Sequence, residues 1–527
     1  MGKCNTNKIG IILAFVFALL QFTVSVQMAS NIIWQKCLGS TGTDSPVGFA
    51  KTPDGGFIIS GAVEFGDGDV TGFHGGDNDA WVVKLDSSGN IQWQKCYGGS
   101  GSDRLGKILV LSNGHYILLG STDSNNGDVI GNHGTSDCWV VEIDSVGTLI
   151  WQKCYGGSES ESGNDIYKIS SGFIIYCSTN SNNGNVTGNH GGIDFWIFKI
   201  DTSGSMIWQK CFGGSQTELS NGSMLPLSSN LFIICGSTIS TDGDITGNHG
   251  GYDGWIIKID SSGNLISQKC YGGSQWDYFS FIVKTITNKY VLSGYTLSND
   301  FDVSGNHGFY DNWVIELDTN SNIQTQKCFG GSDYEAGAIF ETFDYGYILE
   351  GVTYSNNGDV SGLHGYSDAW IAVLDSNFNL TGEQCFGGTY HDGAGRVIQL
   401  SDSIFIMTGG TESDDGDVSG HHGNAPLGTD IWVVKFKTPT GLPNDTGDNI
   451  IKFDLKVYPN PVREKLTVKS GITGELIITN MLGQICFSGK QLSGEIMTID
   501  VSGFAAAVYF LQLKSNDSLI TKKIIVQ

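Results

Sequence analysis

Apolar residues in this chain fall in short runs bounded by clusters of Gly, Asn, Asp and Ser, and the runs come in fours. In one such group Lys107 to Leu111 precedes a Ser112-Asn113-Gly114 turn, and His115 to Gly120 forms a second run. Trp139 to Ile143 then alternates around valines, and Thr148 to Cys154 ends in Trp-Gln-Lys-Cys. Runs of this length and alternation predict four short β-strands. The polar clusters between them tolerate positive φ or hydrogen-bond their own backbone, so they read as turns. No segment keeps a sustained helical period.

The group of four repeats along the chain. A cysteine closes it at Cys37, Cys96, Cys154, Cys211, Cys270, Cys328 and Cys385, with spacings of 57 to 59 residues. An Asp-x-Trp marker keeps the same beat at Trp81, Trp139, Trp196, Trp255, Trp313, Trp370 and Trp432. A His-Gly pair does so at His74, His133, His190, His249, His307, His364 and His422. A twisted four-stranded sheet buries both faces only between neighbours, so seven copies predict an all-β, seven-bladed β-propeller. The array opens on a fourth-strand motif, Ile32 to Cys37, and stops after a third-strand motif, Ile431 to Phe436. The N-terminal strand is therefore expected to complete the last blade and cover its open edge.

Composition narrows the possibilities. Seventy-five glycines, 8 prolines and 11% aromatics describe a turn-rich globular chain. A net charge of -25 repels phosphate backbones and excludes nucleic acid as a partner. Residues 1–29 stand outside the repeat: Lys3 and Lys8 precede an apolar run from Ile9 to Leu20, too short for a bilayer and suited to a secretory signal cut between Ser25 and Ser30. No later apolar run reaches spanning length, so the mature chain is expected to have no transmembrane segment.

Marker cysteines on neighbouring blades stand whole sheets apart, about 10 Å or more, and cannot pair with one another. They read as small buried hydrophobes. Cys138, Cys177 and Cys235 leave the beat, and pairing of one of them with a marker cysteine stays open.

The loop before each marker tryptophan carries candidate chemistry. Asp242, Asp244, Thr246 and Asp253, and again Asp300, Asp302, Ser304 and Asp311, follow an Asp-x-Asp-x-Ser/Thr-Gly spacing with an acid eleven after the first. Oxygens at that spacing around a glycine turn suit calcium, which wants six or more of them. The metal-free alternative is a set of Asx turns, since the last acid is Asp rather than Glu and no helices flank the loop. The recurring histidine reads as a structural partner of the nearby Asp. His115, His391 and His421 fall off the beat and read as surface residues.

For catalysis, Glu64, Glu350 and Glu412 near the ends of second strands are the candidate acids of a glycoside hydrolase. A sialidase is disfavoured because that propeller family looks to three arginines for the substrate carboxylate, and this chain has only Arg104, Arg396 and Arg463, the last outside the repeat. The unrepeated aromatics Trp276, Tyr278, Tyr334, Tyr354 and Tyr390 offer a discriminator: clustered on one face without paired acids they favour sugar binding, and with two acids about 5 to 10 Å apart they favour hydrolysis.

The repeat covers residues 30–437, a linker follows over 438–452, and a second domain takes 453–527. Val457-Tyr458-Pro459-Asn460-Pro461-Val462 leads into alternating runs at Lys465 to Val468, Glu475 to Thr479, Ile485 to Ser488, Met497 to Val501, Val508 to Leu513 and Leu519 to Val526. These predict a small Ig-like β-sandwich.

The Tyr-Pro-Asn-Pro opening, the Asn480-Met481-Leu482-Gly483-Gln484 turn, the Gly503-to-Leu513 segment with Tyr509 and the Lys522-Lys523-Ile524-Ile525-Val526 ending resemble the type A C-terminal sorting domain of type IX secretion, found in Bacteroidota. The resemblance implies Sec export, type IX machinery as a partner, and removal of the domain with release outside the cell or attachment at its surface. Ala505-Ala506-Ala507 stands where many members have a Gly-containing turn. The seven copies resemble a propeller repeat family of such secreted proteins, which implies fold and little function. The expected role is a secreted or cell-surface binding or adhesion module with a glycan or protein ligand at the propeller face. An extracellular glycan-degrading hydrolase is the alternative.

Overall fold

In the computed structural model the turn-bounded apolar runs are β-strands, and no described residue is helical. The structure describes residues 31–437 except 229, 286, 288, 402 and 424, and residues 455–526 except 459–461, 471–472, 481–483, 492–495 and 515–518. The secretory signal, the linker, Pro459-Asn460-Pro461 and Met481-Leu482-Gly483 lie outside the described residues. Two compact units, Met1–Leu442 and Pro443–Gln527, divide the chain.

In the first unit, six antiparallel sheets take consecutive segments spanning 45–97, 103–155, 161–212, 218–271, 277–329 and 335–386. The seventh combines Asp392–Ser401, Ile404–Thr411 and Asp430–Lys437 with Asn31–Leu38, which pairs antiparallel with Asp430–Lys437. Third strands such as Asp79–Leu85 and Asp368–Leu374 are buried along their whole length, because each sheet is covered on both faces. One apolar cluster fills every junction between successive sheets, and the cluster of Leu38, Ile431 and Val433 with Phe57, Ile59 and Trp81 joins the seventh sheet to the first. First strands of successive sheets also meet one another around the whole circuit.

Cysteine and tryptophan markers lie opposite each other on the fourth and third strands: Cys96 with Trp81, Cys154 with Trp139, and Cys37 with Trp432. Each buried indole donates to the residue two before the cysteine, as Trp139 does to Gln152 Oε1 at 2.9 Å and Trp313 to Gln326 Oε1 at 3.1 Å. Glu383 takes the glutamine's place opposite Trp370, at 3.2 Å.

The fourth sheet departs from the four-strand expectation. Its first strand is broken into Glu218–Leu219 and Met224–Ser228, so five strands make the sheet. Gly222 at the break sits so close to the second strand that a Cβ there would come within 2.1 Å of the Cys235 carbonyl oxygen. Cys235 is not joined to a marker cysteine; its Sγ lies 3.3 Å from the Ser223 amide.

In the second unit a three-stranded sheet of Leu455–Tyr458, Lys465–Ser470 and Ile496–Asp500 and a four-stranded sheet of Ile485–Gln491, Gly474–Asn480, Ala507–Lys514 and Leu519–Val526 share one core. Alternation decides it: Tyr509, Leu511 and Leu513 face inward with Leu466, Val468, Leu476 and Ile524. The Tyr509 hydroxyl donates to the Ala505 carbonyl at 3.0 Å, so the alanine run holds the tyrosine.

Candidate ligand-binding rim

At one end of the sheets the first strand begins, the second ends and the third begins, and here two acids per sheet are buried. The acid opening the first strand accepts from the glycine-rich turn that precedes it. Asp277 takes the Gly273 amide at 2.6 Å and the Ser298 hydroxyl at 2.8 Å, and Glu335 takes the Gly331 amide and the Thr353 hydroxyl at 2.7 Å. The Asp opening the third strand is bound by the recurring histidine in all seven sheets: Asp79 by His74, Asp137 by His133, Asp194 by His190, Asp253 by His249, Asp311 by His307, Asp368 by His364 and Asp430 by His422, at 2.5 to 2.8 Å.

Burial dominates the electrostatics. It pushes the Asp253 carboxyl up to about 6 and the Glu218 carboxyl up to about 7. The hydrogen bond to Asp311 raises His307, and that to Asp430 raises His422. These networks fix the rim as a rigid platform for whatever side chains stand beside the acids.

Those neighbouring positions break the sevenfold repeat. At three junctions the residues preceding the two acids, Asn78 with Ser102, Ser136 with Ser160 and Thr43 with Thr429, meet as small polar pairs, and at a fourth Ser367 meets His391. On the fourth to sixth sheets the same positions carry Tyr252 with Trp276 and Tyr310 with Tyr334, joined by the backbone bonds of Asp277 to Tyr252 and Glu335 to Tyr310. With Tyr278, Tyr295 and Tyr354 they make a continuous run of rings. Tyr252 stacks on Tyr278 at 5.3 Å, Tyr278 meets Tyr295 at 4.7 Å, and Tyr295 meets Tyr310 at 5.4 Å. Tyr310 meets Tyr334 at 5.6 Å, Tyr334 meets Tyr354 at 5.8 Å, and His391 continues the run by contacting Tyr354 and Tyr366 at 5.9 and 5.4 Å.

Tyr278 is buried, whereas Trp276 and Phe309 are half exposed and Tyr366 is 65% exposed. A shallow cavity of about 300 Å³ lies at Trp276, lined also by Gly251, Ser274, Gln275 and Leu297. Burial pushes the Tyr334 phenol up to about 12, so it stays a neutral donor. The arrangement offers exposed ring faces with hydroxyl and amide groups at their edges, which suits a ligand with alternating apolar and hydroxylated surface.

The structure places the expected calcium ligands at this same end and gives each its own partner. Asp242 Oδ1 accepts the Ser215 amide at 2.8 Å, Asp244 the Gly213 amide at 3.2 Å, Thr246 Oγ1 the Gln268 amide group at 2.6 Å and Asp253 the His249 ring at 2.6 Å. Asp300, Asp302, Ser304 and Asp311 repeat this with Ser274, Gly272, Gln326 and His307. Asp253 Oδ1 and Asp311 Oδ1 are buried without a hydrogen-bond partner. Among the described residues no group of three or more His, Cys, Asp and Glu side chains could hold a metal ion.

The candidate acids do not share one setting. Glu350 is 1% exposed in mid-strand, opposite Ala338 and Ile371. Glu64 accepts the Thr43 amide at 2.8 Å at the end of the first sheet, and Glu412 follows the second strand of the seventh. One surface reading is corrected: His421 is buried, whereas His391 is exposed as expected and joins the ring run. Tyr252, Tyr295, Tyr310 and Tyr366 were missed, although comparing equivalent positions of the copies would have found them.

Residues 456–527 match the family described as secretion system C-terminal sorting domain. This tail implies export by type IX secretion across the outer membrane. No curated protein matches the chain. Among solved structures, the WD40 domain of Neurospora crassa Pan2 is similar at 11% identity over 78% of this chain and 96% of that one, with a TM-score of 0.42. An apocarotenoid oxygenase of Synechocystis is similar at 11% identity over 78% and 93%, with a TM-score of 0.36. Likenesses this distant carry no argument about activity.

Proposed function

We propose that the chain is a seven-bladed β-propeller that binds neutral glycans on the aromatic rim of its fourth to sixth blades, delivered outside the cell by an Ig-like sorting domain. The continuous run of rings from Tyr252 to Tyr366 along one rim carries this reading. Sugar rings present apolar C–H faces that pack on aromatic faces while their hydroxyls bond to the edges. The net charge of -25 disfavours acidic polysaccharides, which makes neutral ones the fitting class.

The hydrolase alternative needs two free carboxyls facing one pocket. The acids beneath the ring run hold turns and histidines instead, Glu350 is buried in mid-strand, and Glu64 already accepts the Thr43 amide. Calcium is a second reading for the aspartate loops, motivated by their Asp-x-Asp-x-Ser/Thr-Gly spacing. A glycan array probed with the mature chain, with calcium and with chelator, tests both: binding of neutral glycans lost in a Trp276→Ala variant supports the rim. Hydrolysis of bound glycan, or binding untouched by that variant, overturns it.

A further inference from the structure

The second and third sheets meet at a pair of thiols found at no other junction among the described residues. Cys138, next to the third-strand marker Asp137, faces Cys177 on the second strand of the following sheet, with the sulfurs 2.9 Å apart and both residues fully buried. Both leave the pattern of the repeat. Position 177 is glycine in the six other copies, Gly61, Gly120, Gly236, Gly294, Gly351 and Gly409. There a Cβ would approach a first-strand carbonyl oxygen within 1.7 to 2.5 Å. In the third sheet the first-strand partner of Cys177 is Gly163. The residue facing this position from the preceding sheet also varies: Phe195 reaches over Gly236, and Cys138 reaches Cys177. Two departures from one repeat thus meet in space, and each is a thiol.

We propose that Cys138 and Cys177 are a disulfide in the exported protein, tying the second sheet to the third. The marker cysteines sit opposite tryptophans on their own sheets, so this pair is the one that geometry selects. Joining the thiols releases two protons and two electrons. The acceptor is a disulfide-carrying oxidant of the export compartment: one thiolate attacks its disulfide, the second cysteine resolves the mixed disulfide, and the oxidant leaves as a dithiol. Burial raises the Cys138 thiol, so exchange takes place before the two sheets close over the pair. The bond closes a loop that holds the last strand of the second sheet, Leu149–Tyr155, and the first of the third, Glu161–Ile169, and so restricts the unfolded chain.

The inference rests on export, and the test separates the two. The full chain is collected from outside the cells of an exporting host, denatured without reductant, alkylated, digested and mapped by mass spectrometry. The expected result is a linked pair of peptides carrying Cys138 and Cys177, lighter by two hydrogens than the separate peptides, with Cys96, Cys154 and Cys211 alkylated. In a Cys177→Ser chain Cys138 becomes alkylated and the other sites are unchanged. An exported chain with Cys138 and Cys177 both alkylated, or with either linked to a marker cysteine, overturns the crosslink and leaves export standing. A chain retained inside the cell counts against the export reading instead.

Discussion

Gln35 Oε1 accepts the Trp432 indole N–H at 2.9 Å, joining residues 397 apart in sequence. In the first six sheets the equivalent bond spans 13 residues of one hairpin, as between Trp196 and Gln209. The seventh tryptophan alone depends on the chain's first strand. Gln35 also reaches the Ser419 carbonyl at 3.0 Å, so one side chain fastens the strand at two points.

Removing Asn31–Leu38 should therefore expose the edge of Asp430–Lys437 and open the circuit. We expect loss of the monomer to aggregates, read by light scattering after size exclusion. The milder Gln35→Ala leaves a buried indole N–H unpaired and should cost about 1 to 3 kcal/mol in urea unfolding. A deletion chain that stays monomeric with an unchanged melting temperature would show that closure does not depend on this strand.

Trp276→Ala and Tyr354→Ala remove exposed rings and should weaken glycan binding about tenfold or more while stability moves by about 0.5 kcal/mol or less. Tyr278→Ala empties a buried position against the rings of Tyr252, Tyr295 and Tyr310 and should destabilise by about 3 to 5 kcal/mol. Titration calorimetry and denaturant unfolding separate the two effects. Equal stability losses at all three positions would make the run a core element rather than a binding surface.

Asp242 and Asp300 accept the same turn amide that Asn126, Asn183 and Asn357 accept in other copies, each at 2.8 Å. Asp242→Asn and Asp300→Asn should therefore stay within about 0.5 kcal/mol of the parent, and a chelator should not move the melting temperature. A chelator-induced drop that both variants abolish would assign the loops to calcium.

Stability should fall as pH rises from about 4 to 8. Burial lifts Asp44 and Asp253 to about 6 and Glu218 and Glu350 to about 7, so the folded chain holds protons that the unfolded chain releases near pH 4. Their contribution is complete below about pH 4 and lost through pH 6 to 7; the raised His307 and His422 act in the same direction at slightly higher pH. Scanning calorimetry should give a higher melting temperature at pH 5 than at pH 8, and Glu350→Gln should narrow the gap. A higher value at pH 8 would contradict this ordering.

Much of the fold was legible because the repeat is a local property: each hairpin carries its own turn residues and alternation, so strands and the His–Asp pairs follow from spacing. The split first strand of the fourth sheet was not, since it depends on how closely Gly222 approaches Cys235. The calcium spacing was legible as a pattern, but which oxygen meets which amide depends on the neighbouring turn. The aromatic run was only half visible, because Trp276 and Tyr252 are 24 residues apart and become neighbours only when one sheet packs on the next.

By itself the sequence determined what short-range chemistry can determine: strands, turns, seven copies, and a sorting tail. Tertiary packing decided what lies across junctions, including the rings that share a rim, the His421 that is buried, and the two off-beat cysteines that face each other. The reason is that a sheet's faces acquire their partners only from neighbouring sheets, and those contacts join positions that no local period links.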